Sequence, residues 1–146
     1  SLHSYNLISS QIDNKVAMIT VTPDMDPGVF EESAKKTKGI IIAATALGNL
    51  PLHNKKSIKQ VLQKISKKMP LFICSQTIYG RVNAFVYANL REVSMEIGAI
   101  YLQDMLAETA YIKLMIALKQ KSPVKFMQQN VAGEYTTREL DEAFLR

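Results

Sequence analysis

Two segments place polar side chains directly behind apolar runs, where a chain could do chemistry: ATALGNLP (44–51) and CSQTIYGRVN (74–83). In the first, the backbone amides around Gly48 and the carboxamide of Asn49 are suited to a polar ligand. Equally, Gly48 permits a tight turn and Asn49 tolerates left-handed backbone, so both readings stand. A phosphate loop is excluded, because the glycine spacing and the Lys-Ser/Thr ending are missing. In the second, Ser75 and Gln76 offer hydrogen bonds, and Tyr79 and Arg81 could gate or clamp a ligand or a partner subunit. The alternative is a turn at Gly80 with Arg81 in solvent. Ser75 lacks the frame of a nucleophile elbow and a nearby base. Cys74 ends the apolar stretch PLFIC with no histidine close in sequence, as expected of an inert core thiol. His3 and His53 stand apart, without cysteine or carboxylate at ligand spacing, so neither a metal nor another cofactor is expected. Asp104 and Glu108 share a helix face, but Asp104 reads as an N-cap and Glu108 as a first-turn charge.

The elements that must position these residues are legible. KVAMITVTP (15–23) is a strand stopped by Pro23, after which Asp26 caps a short helix opening at Pro27. GIIIAAT (39–45) is a continuous apolar run too short for a helix, as expected of a strand buried on both faces. Asn54 is placed to cap a helix whose Ile58, Val61, Leu62 and Ile65 follow the i, i+3, i+4, i+7 pattern, with lysines opposite. Pro70 closes that helix, and PLFICS is a third strand. A helix through Val86, Leu90, Val93 and Ile97 stops at Gly98. AIYLQ is a fourth strand, Asp104 opens a helix carrying Leu106, Ala110, Leu114 and Met115, and one or two short helices follow Ser122. Successive strand-helix units predict an α/β fold: a three-layer, Rossmann-like domain with a parallel sheet of about four strands and helices on both faces. Ligands of such sheets bind beyond the carboxyl ends of the strands, at a topological switch point. The segments to search are therefore TPDMD, TALGNLP and SQTIYGRVN.

A chain of 146 residues, 47% of them hydrophobic, is one domain's worth and can bury a core without metal or disulfide. The domain is expected over 13–146. Residues 1–12 are read as a disordered lead-in or cloning remnant. A single cysteine suits a reducing compartment, and no run approaches the length of a membrane span, so a soluble, cytoplasmic protein is expected. The net charge of +5 comes largely from KKTK (35–38) and the lysines of 54–68. With no aromatic RNA-binding pattern or arginine-rich arm beside them, solvated helix faces are preferred to a nucleic-acid patch.

In order and spacing, TALGNLP, SQTIYGRVNAFVY, GAIYLQDMLAETAYIKLMIAL and MQQNVAGE resemble the C-terminal domain of the asparaginase family of amidohydrolases. The likeness spans roughly residues 13 to 137. GRVN-x-x-VY and DML tilt it toward the D subunits of archaeal glutamyl-tRNA(Gln) amidotransferases. The resemblance implies hydrolysis of a glutamine or asparagine side-chain amide through a threonine acyl-enzyme, releasing ammonia for tRNA-dependent amidation. The threonines and their Asp and Lys belong to a larger N-terminal domain in that family, so no catalytic residue is expected in this chain, which alone would be inactive. The resemblance also implies a homodimer whose site lies between the N-terminal domain of one subunit and the C-terminal domain of its partner, with Gly48 and Asn49 reaching the substrate. In the amidotransferase context it implies a partner subunit and tRNA. Two departures stand out: Ala46 and Asn49 differ from the Gly-Leu-Gly-His loop of the amidotransferase relatives, and Leu90 occupies a position where glycine is usual, which predicts either a more regular helix or one that starts in a shifted register. A free cytoplasmic L-asparaginase and a non-catalytic α/β binding module are the alternatives.

Overall fold

The computed structural model describes residues 12–22, 24–44, 58–75 and 84–133, with backbone alone at Ser75 and over 84–89. Within them, β1 (Val16–Val21), β2 (Gly39–Ala44), β3 (Leu71–Ser75) and β4 (Ile100–Tyr101) alternate with α1 (Gly28–Lys36), α2 (Ile58–Ser66) and α3 (Ala84–Ile97). After β4 come α4 (Ala107–Ala117) and α5 (Pro123–Gln128). The strands pair in parallel in the order β1-β2-β3-β4, as the α/β reading predicts. No described helix is long and apolar enough to cross a membrane.

Side chains alternate between the two faces of a strand, and the alternation here divides the core in two. Ile19, Val21, Ile40, Ile42, Leu71 and Ile73 pack with Phe30 of α1, with Ile58, Val61, Leu62 and Ile65 of α2, and with Leu90 and Ile97 of α3. Ile41, Ala43, Phe72 and Cys74 face the other way, toward Ala110, Leu114 and Ala117 of α4 and Met127 of α5. Helices therefore cover both faces, but α1, α2 and α3 share one of them. That sharing follows from the strand order: each crossover steps to the next strand in the same direction. The described sheet consequently contains no reversal of strand order, and the expected topological switch point is not found in it.

Every residue of β2 is buried, which is why its apolar run shows no alternation. Gly39 begins that strand because Leu114 lies against it: a Cβ there would stand 3.0 Å from Leu114 Cδ2. α1 starts one residue later than expected, at Gly28 with Pro27 in the cap position; Pro27 nonetheless has helical backbone, and the Asp26 carboxylate accepts the Gly28 N–H at 2.8 Å. The four apolar positions foreseen in α2 are all buried. α3 runs unbroken past Leu90, whose side chain, 1% exposed, fills a core position that a glycine would leave empty. Gly98, at φ 77°, ends it with a left-handed cap in which the N–H groups of Gly98 and Ala99 both donate to Ser94 O, at 2.9 and 3.0 Å. α2 and α3 are stitched by Lys59 to Glu96 (2.6 Å), Gln63 Nε2 to Glu96 O (2.8 Å) and Ser66 Oγ to Ile97 O (2.8 Å).

Two sequence expectations are corrected near the fourth strand. It has two residues rather than the five of AIYLQ, and the helix after it opens with its cap position at Leu106, not Asp104. Leu102 and Met105 are both buried, and the chain turns sharply to bury them. Met105 N–H donates to Leu102 O at 2.9 Å, and Gln103 takes a φ of 47°. Asp104 is consumed by this turn. One helix, α5, follows Ser122 among the described residues. It is fastened to α4 by Lys113, whose ammonium donates to Gln129 O and lies 5.9 Å from the centre of the Phe126 ring.

The first described residues are anchored as well. Asp13 N–H donates to Met115 O at 2.9 Å, while its carboxylate accepts Lys15 N–H at 3.0 Å and meets Lys38 Nζ at 2.7 Å. The Lys38 ammonium and the Lys15 N–H together hold that carboxyl below the usual aspartate range.

Candidate functional site

The carboxyl ends of the strands collect at one pole of the sheet. Ala44 and Ser75 are register partners at the ends of the two central strands. The two polar segments singled out in the sequence therefore depart from adjacent positions. This juxtaposition was not readable from the chain alone, since the two residues stand 31 positions apart. Gly48, Asn49, Gln76, Tyr79 and Arg81 lie outside the described residues, as do Asn54 and His53, and Ser75 is placed by its backbone only.

Cys74, one residue before the second departure point, is 0% exposed. Burial pushes its thiol up to about 12, and the charge of Glu108 adds to the effect. A thiol so placed is a neutral core group at any physiological pH and no nucleophile. Glu108 sits in the first turn of α4, on the same pole as Asp24 and Asp26 after β1, and Asp104 after β4. Apart from Lys59 in the first turn of α2, which is paired with Glu96, the described rim is thus acidic. Among the described residues no group of three or more His, Cys, Asp or Glu could hold a metal ion. The rim can orient hydrogen-bonding groups of a polar ligand, but the described part of it contains no activated nucleophile.

Sequence reasoning passed over Lys113, which is 5% exposed. A signal was present: Ala110, Lys113, Leu114 and Ala117 follow i, i+3, i+4, i+7, which puts the lysine on the buried face of α4. It also passed over Asp13, which stood at the edge of a segment set aside as lead-in.

Comparison with known proteins carries the reading further. Residues 15–130 match the family described as the glutaminase/asparaginase C-terminal domain. The D subunit of the glutamyl-tRNA(Gln) amidotransferase from Pyrococcus furiosus is 36% identical over 143 residues, covering 94% of this chain and 32% of the relative. Its counterpart from Methanobrevibacter smithii is 34% identical over the same length and coverage. The solved structure of the thermostable L-asparaginase from Thermococcus kodakarensis superposes with a TM-score of 0.74 at 30% identity, covering 88% of this chain and 40% of that one. The chain spans about a third of the length of the curated relatives it matches.

Proposed function

The chain belongs to the glutaminase/asparaginase C-terminal domain family, and from that premise we propose that it is the C-terminal domain of the D subunit of a glutamyl-tRNA(Gln) amidotransferase. The single observation behind the choice of branch is the match to two such subunits at 34 to 36% identity over 143 residues, against 30% over 134 for the L-asparaginase. In this reading the whole protein releases ammonia from a glutamine or asparagine side chain. The nucleophilic threonine belongs to a preceding domain, where covalent catalysis splits one displacement into two easier steps. This domain completes the pocket of a dimer partner with the two segments that leave Ala44 and Ser75. Gly48 and Asn49 meet the substrate, while Gln76, Tyr79 and Arg81 shape the wall or the dimer contact. Its contribution is orientation, which lowers the barrier without supplying a reacting atom. The full complex includes a partner subunit and tRNA, and acts in the cytoplasm.

A chimera tests this. The C-terminal third of the Pyrococcus furiosus relative is replaced by residues 13–146, and ammonia release is measured with and without the partner subunit and tRNA. Release from glutamine that rises when partner and tRNA are added is expected. A chimera that folds but hydrolyses neither amide would overturn the proposal. Full activity on free asparagine with no response to tRNA would favour the second reading, a free L-asparaginase, for which the fold superposition speaks. The isolated chain is expected to release no ammonia.

A further inference from the structure

Charge in this domain is sorted by the two ends of the sheet. Because the four described strands are parallel, strand starts and returning helix ends gather at one pole and strand ends at the other. At the amino pole stand Lys15 before β1, Lys36 closing α1, Lys67 and Lys68 between α2 and β3, and Lys119 and Lys121 beyond α4, all exposed. Backbone bonds draw these segments together: Lys38 N–H donates to Lys15 O at 2.7 Å, Ile40 N–H to Pro70 O at 3.3 Å and Asp13 N–H to Met115 O at 2.9 Å. Lys119 also acts electrostatically on the Asp13 carboxylate. Asp13, at this pole, and Glu96, closing α3, are already held by Lys38 and Lys59. None of the six lysines makes a salt bridge among the described residues. Asp24, Asp26, Glu31, Asp104 and Glu108 lie at the opposite pole, around the site described above.

The helix dipole explains Lys36, which sits in the last turn of α1, but its influence fades beyond the helix end. Lys15, Lys67, Lys68, Lys119 and Lys121 lie outside the helices altogether. These exposed cations from four separate segments, none of them in a salt bridge among the described residues, form a surface suited to a polyanion.

We propose that the amino pole docks the phosphate backbone of a folded RNA. A lipid surface is disfavoured because these lysines lie in short segments between elements or at a helix end, not along the polar face of an amphipathic helix that could enter a bilayer. Strand starts and helix ends also present no described element to insert into a DNA major groove, so recognition is by backbone charge and shape, the mode suited to structured RNA. The proposal does not rest on the amidotransferase reading. It concerns the face opposite the candidate site, and it holds equally for a domain that never meets tRNA in catalysis.

Fluorescence anisotropy of a labelled tRNA transcript, titrated with the full chain over a salt series, tests it. Each neutralised phosphate contributes about 0.7 to 0.9 to the slope of log affinity against log salt, so about six contacts weaken binding roughly 10³-fold between 50 and 200 mM salt. The combined variant Lys67→Glu, Lys68→Glu, Lys121→Glu is expected to lose more than tenfold in affinity and to flatten the slope by about 2. The neutral variant with glutamine at the same three positions should lose less but in the same sense, and Arg91→Glu on α3 should change affinity less than about twofold. Circular dichroism confirms that each variant is folded. The proposal falls if Arg91→Glu weakens binding as much as the triple variant, if the slope is flat, or if duplex DNA of matched length binds more tightly. It also falls if the chain floats with phosphatidylserine vesicles but does not retain tRNA.

Discussion

The contact between Gly39 and Leu114 makes a sharp prediction, because each residue is fitted to the other across the β2–α4 interface. Leu114 is 0% exposed, and cutting it to alanine removes buried methyl groups and leaves a cavity, at a cost of about 2 to 5 kcal/mol. Gly39→Ala adds a methyl that would stand 3.0 Å from Leu114 Cδ2, tighter than nine in ten such contacts, so the leucine must give way by a few tenths of an ångström. Overpacking of that kind costs about 1 to 3 kcal/mol. It is offset in part by the lower backbone entropy of an unfolded chain carrying alanine, about 0.4 to 1 kcal/mol. With Leu114 cut back, the new methyl enters vacated space instead of a clash. The double variant should therefore be at least about 1 kcal/mol more stable than the sum of the two single changes predicts, within the range seen for residues in contact. Urea unfolding of the four proteins is the assay. With m near 1.5 kcal/mol/M, a coupling of about 1 kcal/mol displaces the midpoint by about 0.7 M. Additive single effects, or a double variant worse than additive, would refute the claim that Leu114 is why the strand opens with glycine.

Three further outcomes follow from the same geometry. Because burial holds Cys74 neutral up to about 12, the native chain should resist iodoacetamide at pH 8 and label once when unfolded. Above pH 9 the unfolded thiol ionises while the native one does not, so stability falls by about 1.4 kcal/mol per pH unit, and Cys74→Ala should remove that slope in alkaline urea titrations. Asp13 is depressed by Lys38 and the Lys15 N–H. Its stabilisation is therefore complete above the ordinary aspartate range and lost as pH falls through the lowered native value, so the gap between wild type and Asp13→Asn in urea should close between about pH 5 and pH 2. Lys113→Ala removes the donor to Gln129 O; because Gln129 is exposed, water can meet the freed carbonyl, and the loss is about 1 kcal/mol. Trypsin should then cut at Lys121 and Lys125 faster, before global unfolding.

How far the sequence disclosed this fold depended on whether a residue's neighbours in space were also its neighbours in the chain. β2 and α2 were legible because their signals are local: an unbroken apolar run, and a four-residue spacing with lysines opposite. Asp26 before Pro27 was readable for the same reason. Asp104 was misplaced because aspartate suits a cap and a turn alike. The choice was made by the burial of Leu102 and Met105, which depends on a sheet face built elsewhere. Strand order is the extreme case, since apolar runs carry no label for the partner they will take. The candidate site was legible only as two segments, and their adjacency came from the register of Ala44 with Ser75.

The strand order β1-β2-β3-β4 also bears on how the chain is born. During synthesis each strand emerges to find its partner already present at the growing edge, and no later strand has to wedge between two earlier ones. The sheet can therefore accrete in the direction of translation, with sequence separations between paired strands kept to one crossover, the least non-local pairing a parallel sheet allows. α4 and α5, which cover the second face, come last among the described elements. Until they close over Ile41, Phe72 and Cys74, that apolar face is exposed. A released chain that ended before residue 107 would accordingly hold a paired sheet with one bare side, the form most in need of a chaperone.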